Sequence, residues 1–220
     1  YNSPKAGAFC VLPAHRRQAR LLVDSCGCRE VFHYKRGYRL PGGAGKNPLS
    51  AMRGNEDMLN RYWKSFKSGT DIRGVATEGV AGEEVTLTDP VIEKITAGFV
   101  LWLTKNLGRE ATTLTISVGH DSRISADRIQ AAVCRVLIDA GCHVLDCGLA
   151  STPSMFMTTV DIACDGAVQI TASHHPFNRN GLKFFTRKGG LDGCDIEEIL
   201  QYAQEGQAPQ SRSGGRVEAV

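Results

Sequence analysis

Two periods of apolar residues alternate along the chain from about residue 65, and their alternation indicates the architecture. After Thr88, Asp89 and Pro90, a capping side chain followed by a proline suited to a first helical turn, Val91, Ile95, Phe99, Leu103 and Leu107 recur every four residues until Gly108. That spacing predicts an amphipathic helix with a glycine stop. "TLTISVG" (113–119) is short, β-branched and bounded by glycine, and predicts a strand. A second helix follows, capped by Ser125, with Ile129, Val133, Val136, Leu137 and Ala140 on its buried face and Gly141 closing it. "CHVLDCG" (142–148) predicts a strand, 153–160 a helix and "GAVQIT" (166–171) a third strand. "LKFFT" predicts a strand entering the turn "RKGG", and "CDIEEILQYAQ" a last helix capped by Asp192 or Asp195. Strands alternating with helices imply βαβ units, hence an α/β fold with a mainly parallel sheet and helices on both faces. Ligands of such sheets bind beyond the carboxyl ends of the strands.

Composition narrows the class. At 220 residues, 42% hydrophobic and 22% charged, the chain can bury a core. No apolar run approaches the ~18 residues of a membrane span, so no membrane partner is expected. Among the eight cysteines only Cys26 and Cys28 are close neighbours. Cys134, Cys142, Cys147, Cys164 and Cys194 sit within apolar segments, as core thiols of a reducing compartment do.

Charge separates a leader from the remainder. Residues 1–55 hold ten Lys or Arg against Asp24 and Glu30, whereas residues 56–220 are net acidic. The leader also contains "LPGGAGKNPLS", which has no sustained period and too few apolar groups to order itself. An organelle transit peptide, an untrimmed non-native extension and a nucleic-acid-binding arm all fit, and the transit reading is preferred. "GGAGK" lacks the second half of a P-loop, and Cys26-Gly27-Cys28 lacks a second ligand pair at zinc-site spacing. The expected organisation is a basic extension over 1–64, a folded domain over 65–206, and a truncated linker over 207–220. Because the chain starts at Tyr1 and stops within "SGGRVEAV", it is expected to be a fragment.

The densest chemistry lies in "ITASHHPFNRNGLKFF" (170–185), just past a predicted strand end. A serine hydroxyl is a weak nucleophile that needs a base, a metal or prior modification. The hydrolase elbow Gly-x-Ser-x-Gly is absent, and adjacent histidines rarely reach a serine Oγ as a triad base does. A phosphoserine suits the setting better: its charge of about −2 would call for cations, namely Lys183, Arg179, His174 as imidazolium, and a divalent metal.

"TASHHPFNRNGLKFF" resembles the phosphoserine loop of the α-D-phosphohexomutase superfamily, whose usual pattern is Thr-Ala-Ser-His-Asn-Pro followed by Asn-Gly-x-Lys. "SGTDIRGVA" (68–76) resembles that family's opening strand, and "VGHDSRISADRIQAAVCRVLIDAGCHVLDCGLASTP" its Gly-x-Asp-x-Arg segment with the following helix and Thr-Pro turn. The three motifs run in order over about 65–205, the extent of the family's first domain. "DIRGVATEGVAG" and "RNGLKFFTRKGGL" look most like the plastid-type mutases of plants and algae, which implies a plastid location, with the cytoplasm as alternative.

The resemblance implies a phosphohexomutase of the phosphoglucomutase/phosphomannomutase type. Ser173 would carry the phosphoryl group and, as phosphoserine, would be one ligand of Mg²⁺. His174 matches the family's active-site histidine and Lys183 the lysine credited with proton transfer. Arg73 matches the arginine of the opening strand and Arg123 that of Gly-x-Asp-x-Arg. Hexose phosphates would be the substrates and a hexose bisphosphate the activator, with no nucleic acid involved. His175 stands where the family usually has Asn. The family's Asp-Gly-Asp metal loop, its sugar-selecting loop and its phosphate-gripping loop belong to later domains, so the sugar is unspecified and this segment alone is expected to be inactive. A non-catalytic sugar-phosphate-binding or scaffold protein of the same fold is the competing reading, and a serine-dependent phosphatase a third. Arg73 and Arg123 also read as structural partners of Asp71 and Asp121. Arg179 and Asn180 read as loop-shaping, and His120, His143, Thr152 and Pro153 as structural.

Overall fold

The computed structural model describes residues 59–220. Most of the basic extension, with Cys26, Cys28 and "LPGGAGKNPLS", lies outside the described residues.

The chain begins its regular structure at α1 (Arg61–Lys64), where the Asn60 side chain accepts from the Trp63 N–H at 3.0 Å. A short hairpin follows, β1 (Lys67–Ser68) and β2 (Asp71–Val75). Then come α2 (Asp89–Leu107), β3 (Thr115–His120), α3 (Ala126–Asp139), β4 (His143–Leu149) and α4 (Thr152–Asp161). β5 (Gly166–Ile170), β6 (Arg179–Thr186), β7 (Gly189–Gly190), α5 (Gly193–Glu205) and β8 (Arg216–Ala219) complete it.

The strands form one sheet in the order β1-β2-β6-β5-β3-β4-β8, with β7 beside β6. β5, β3, β4 and β8 are parallel neighbours. β6 runs antiparallel between β5 and β2, so the sheet is mixed, although only β1 and β6 oppose the common direction. The expected α/β fold with helices on both faces is present.

Alternation along the strands places the core. Ile116, Val118, Val168, Ile170, Leu182 and Phe184 face a large cluster closed by α2, α3 and α5. Phe99 of α2 stacks on Phe184 with ring centroids 4.3 Å apart. Each such fully buried side chain is worth about 1.5–3 kcal/mol of transfer free energy. The opposite face carries α4, whose Met155 packs with Ala167 and Phe185.

Helix ends follow the sequence with two exceptions. Gly108 caps α2 at φ 63°, and Asp192 and Asp195 together form a capping box on α5, so both expected caps act. Thr88 and Ser125 occupy cap positions without side-chain cap hydrogen bonds. The Ser125 hydroxyl instead accepts from Asn180 Nδ2 at 2.9 Å.

Both segment boundaries also differ from expectation. Trp63 and Phe66 are buried, and α1 packs on α5, so residues 59–64 belong to the folded part. Residues 207–220 are not only a linker: β8 pairs with β4, satisfying backbone groups at that strand's outer edge. Cys134, Cys142, Cys147 and Cys164 carry free thiols, and burial pushes the Cys134 thiol up to about 11 and Cys142 up to about 12. No helix among the described residues is long and apolar enough to cross a membrane.

Candidate active site

The loop 171–178 leaves the carboxyl end of β5 and returns as β6. Thr171 sets its first turn. The Thr171 hydroxyl donates to Asp121 Oδ2 at 2.7 Å and accepts from the Ser173 N–H at 2.9 Å. This side-chain turn holds Ser173 at φ 53°, a left-handed conformation that costs a non-glycine residue about 1–2 kcal/mol. Its consequence is an exposed serine hydroxyl at the rim of the parallel half of the sheet. Ser173 Oγ lies 3.4 Å from His174 Nδ1, too long for a strong hydrogen bond.

Arg123 shapes the rest of the loop. It enters from the segment after β3, and its Nη2 donates to the carbonyls of Ser173 at 2.7 Å and His175 at 2.8 Å. Its Nη1 donates to the carbonyls of Pro176 at 2.7 Å and Arg179 at 2.8 Å. Nε stands 3.4 Å from Asp121 Oδ2 but is not aligned for a hydrogen bond. Four main-chain carbonyls therefore converge on one guanidinium, a use of its planar fork that a lysine could not reproduce. The expected pairing of Arg123 with Asp121 exists, yet the clamp on the loop is its main engagement.

Arg73 and Lys183 approach from β2 and β6. Arg73 pairs across the strands with Gly181, and it is buried. Its Nη1 donates to the Thr171 carbonyl, and its Nη2 to Asp71 Oδ2 at 2.7 Å. Burial lowers the Arg73 pKa from its ordinary value, with Asp71 opposing the shift. Lys183 pairs with Gln169 of β5 and sends Nζ to Asp71 Oδ1 at 2.6 Å, 5.7 Å from the centre of the Phe185 ring. Arg73 and Lys183 thus meet through the two oxygens of one carboxylate, and Arg73 continues from it to the Thr171 carbonyl.

His174 and His175 stack with ring centroids 5.2 Å apart. The His175 pKa is lowered, first by desolvation and then by the charges of Arg73, His174, Arg179 and Arg123. Asn178 is buried; its carbonyl accepts from the Ala76 N–H at 2.7 Å, and its Nδ2 donates to Glu83 at 3.1 Å.

The structure therefore gathers Ser173, His174, Arg73, Arg123 and Lys183 around the end of β5, joined by contacts between β2, β3, β5 and β6. Arg179 and Asn180 are corrected from loop to strand: they open β6 opposite Val75 and Gly74. Sequence reasoning passed over Thr171 and treated Asp71 and Asp121 only as arginine partners. The available signal was that both carboxylates lie two residues before the arginines in question. Among the described residues, no three His, Cys, Asp or Glu side chains converge to hold a metal ion.

Comparison with known proteins gives this arrangement a family. Residues 66–209 match the family described as "Phosphoglucomutase/phosphomannomutase, alpha/beta/alpha domain I". The phosphoglucosamine mutase of Leuconostoc mesenteroides is 35% identical over 140 residues, 62% of this chain and 28% of that protein. The phosphomannomutase of Escherichia coli is 36% identical over 96 residues, 43% of this chain and 21% of that protein. In fold, the chain matches a phosphoglucomutase/phosphomannomutase family protein of Burkholderia thailandensis with a TM-score of 0.54 at 24% identity, over 74% of this chain and 33% of that one. These relatives are several times longer than the matched segment. With a match that spans most of the folded residues and includes the loop around Ser173, this chain belongs to the phosphoglucomutase/phosphomannomutase family, of which it carries the domain I fold.

Proposed function

We propose that this chain supplies the phosphoryl-carrying domain of a phosphohexomutase that interconverts hexose 1-phosphate and hexose 6-phosphate. The observation that carries the proposal is the placement of Ser173, exposed in a left-handed turn and fastened to Asp121 through Thr171 and to Arg123 through its carbonyl. A carrier must present its phosphoryl group to a substrate and take one back at the same oxygen, and this loop fixes the backbone on both sides of that oxygen.

In the forward half-reaction the bond between phosphorus and Ser173 Oγ breaks and a bond from phosphorus to a sugar hydroxyl oxygen forms. The proton of that hydroxyl ends on Ser173 Oγ. The bisphosphorylated sugar turns over and returns its other phosphoryl group to Ser173, and the proton moves back to the freed sugar oxygen. Lys183 is the proposed proton-transferring group, and His174 reaches the carrier oxygen with Nδ1 at 3.4 Å. Arg73 and Arg123 act by holding the main chain around Ser173, through the carbonyls of Thr171 and Ser173.

The donor chemistry fits Mg²⁺, because a phosphoserine offers hard anionic oxygens. Ser173 is the residue of this chain that would hold it, and the metal would neutralise charge on the transferring phosphoryl group.

The test uses full-length protein with Mg²⁺ and a catalytic amount of hexose 1,6-bisphosphate, followed by phosphorus NMR of the sugar phosphates. Wild-type protein should interconvert the two monophosphates, and Ser173→Ala should lose nearly all turnover because the covalent pathway is gone. Near-normal turnover by the alanine variant would sink the carrier assignment, and binding without turnover by wild type would favour a sugar-phosphate-binding protein. We further propose that the basic leader targets the protein to plastids; a reporter fused behind residues 1–58 that stays in the cytosol would overturn this.

A further inference from the structure

We infer that Asp71 is a positioning residue of the reaction, acting through Lys183. The inference rests on the mutase reading and adds to it a residue that the motif around Ser173 does not contain. Both oxygens of Asp71 are committed: Oδ1 accepts from Lys183 Nζ at 2.6 Å and Oδ2 from Arg73 Nη2 at 2.7 Å. The side chain is largely shielded, at 17% exposure, with Lys183 at 23% and Arg73 at 9%. An ion pair so shielded has a defined geometry, unlike the mobile pairs of an open surface.

The geometry also says what is being positioned. Arg73 spans from Asp71 to the Thr171 carbonyl, and the Thr171 hydroxyl accepts from the Ser173 N–H. Lys183 is therefore tied to the Ser173 turn through a continuous path, Lys183 to Asp71 to Arg73 to Thr171. Lysine has four rotatable side-chain bonds, and without a fixed partner its ammonium samples many positions. The same carboxylate that orients Arg73 removes this freedom, so the proton carrier and the phosphoryl carrier keep a fixed relation. Strand pairing makes the bridge possible. Asp71 opens β2, Arg73 lies opposite Gly181, and Lys183 is two residues farther along β6 on the same side of the strand.

The experiment compares wild type, Asp71→Asn, Asp71→Glu, Lys183→Ala and the double variant Asp71→Asn with Lys183→Ala, all in the full-length enzyme. Asp71→Asn keeps the shape and removes the charge. It should lower kcat roughly 10- to 100-fold with KM within about twofold, the pattern of lost transition-state positioning. Asp71→Glu, which keeps the charge, should recover part of the loss. Against Lys183→Ala, Asp71→Asn should cost less than about twofold more, since the residue it acts through is already gone.

A second readout does not depend on turnover. Trace labelling of amines with an acylating reagent, read by mass spectrometry against exposed Lys188, should be several-fold faster at Lys183 in Asp71→Asn than in wild type. Unchanged labelling of Lys183, or losses that multiply in the double variant, would overturn the inference while leaving an active wild-type mutase standing. Absence of turnover in wild type would instead overturn the mutase reading and, with it, the role in catalysis inferred for Asp71. If Asp71→Asn does not fold, as far-ultraviolet circular dichroism would show, the Asp71→Glu comparison carries the same decision: a kcat and a Lys183 labelling rate that change together, or both stay near wild type, support a charge-held lysine, and wild-type kcat with fast labelling, or lowered kcat with unchanged labelling, overturns it.

Discussion

Arg73 and Gly181 face each other across β2 and β6, and the absent side chain of Gly181 is what lets the guanidinium cross to Thr171. A Cβ built on Gly181 would collide with the Ile72 carbonyl oxygen and lie 2.8 Å from Arg73 Cδ. The glycine of "RNGLKFF" is thus a site residue by omission: close approach of two strands, and passage of one arginine, require the missing methyl.

Gly181→Ala should consequently destabilise the domain by about 2 kcal/mol or more, because the obstructing atom is backbone and cannot swing aside. Urea unfolding followed by tryptophan fluorescence measures this. A change below about 0.5 kcal/mol would show that the two strands separate without penalty.

Ser173→Gly should do the opposite. The left-handed φ of 53° is strained for serine and free for glycine, so the variant should gain about 0.5–1 kcal/mol in the same unfolding assay. It should also lose all phosphoryl transfer, since no oxygen remains. A variant less stable than wild type would mean that the Ser173 hydroxyl contributes more to the turn than its backbone strain takes away.

Arg123→Ala should loosen the loop. Four carbonyls, from Ser173, His175, Pro176 and Arg179, would lose their shared donor. Amide hydrogen exchange across 173–179 should accelerate at least about tenfold, and stability should fall by about 2–3 kcal/mol. Arg123→Lys should rescue little, because one ammonium cannot serve four acceptors arranged around a plane. Exchange rates in the lysine variant equal to wild type would show that charge alone fixes the loop.

Most of the fold was legible because it is written in local periods. The helix containing Phe99 and Leu103 and the strand containing Val168 and Ile170 each bury the face that their spacing marks. Ser173 was legible from its neighbours. The direction of β6 was not, although the eight-residue loop 171–178 is too short for a helical crossover and so implies an antiparallel return. The partners of the site residues were hidden for a different reason. Asn180 reaches Ser125 across 55 positions, and Lys183 reaches Asp71 across 112, so no window of sequence contains either pair. Ser125 reads locally as a helix cap, and only the assembled sheet shows that its hydroxyl is taken by Asn180.

Phosphorylation of Ser173 should raise the titration midpoint of His175. In the unmodified protein that midpoint lies below the ordinary value of 6.5, because desolvation disfavours imidazolium and Arg73, His174, Arg179 and Arg123 add positive charge nearby. Protonation is therefore delayed to more acid pH. A phosphoryl group two residues away brings a charge of about −2, which attracts the imidazolium that those cations repel. The midpoint should move upward by several tenths of a pH unit or more, as opposite charges at close range do. Proton–carbon NMR of the imidazole Cε1–H, before and after phosphorylation by hexose 1,6-bisphosphate, reads the shift directly. An unchanged His175 midpoint with Ser173 fully phosphorylated would mean that Arg73, Arg123 and Arg179 neutralise the phosphate before it reaches the ring, and a fall would mean that phosphorylation rearranges the loop and desolvates the ring further.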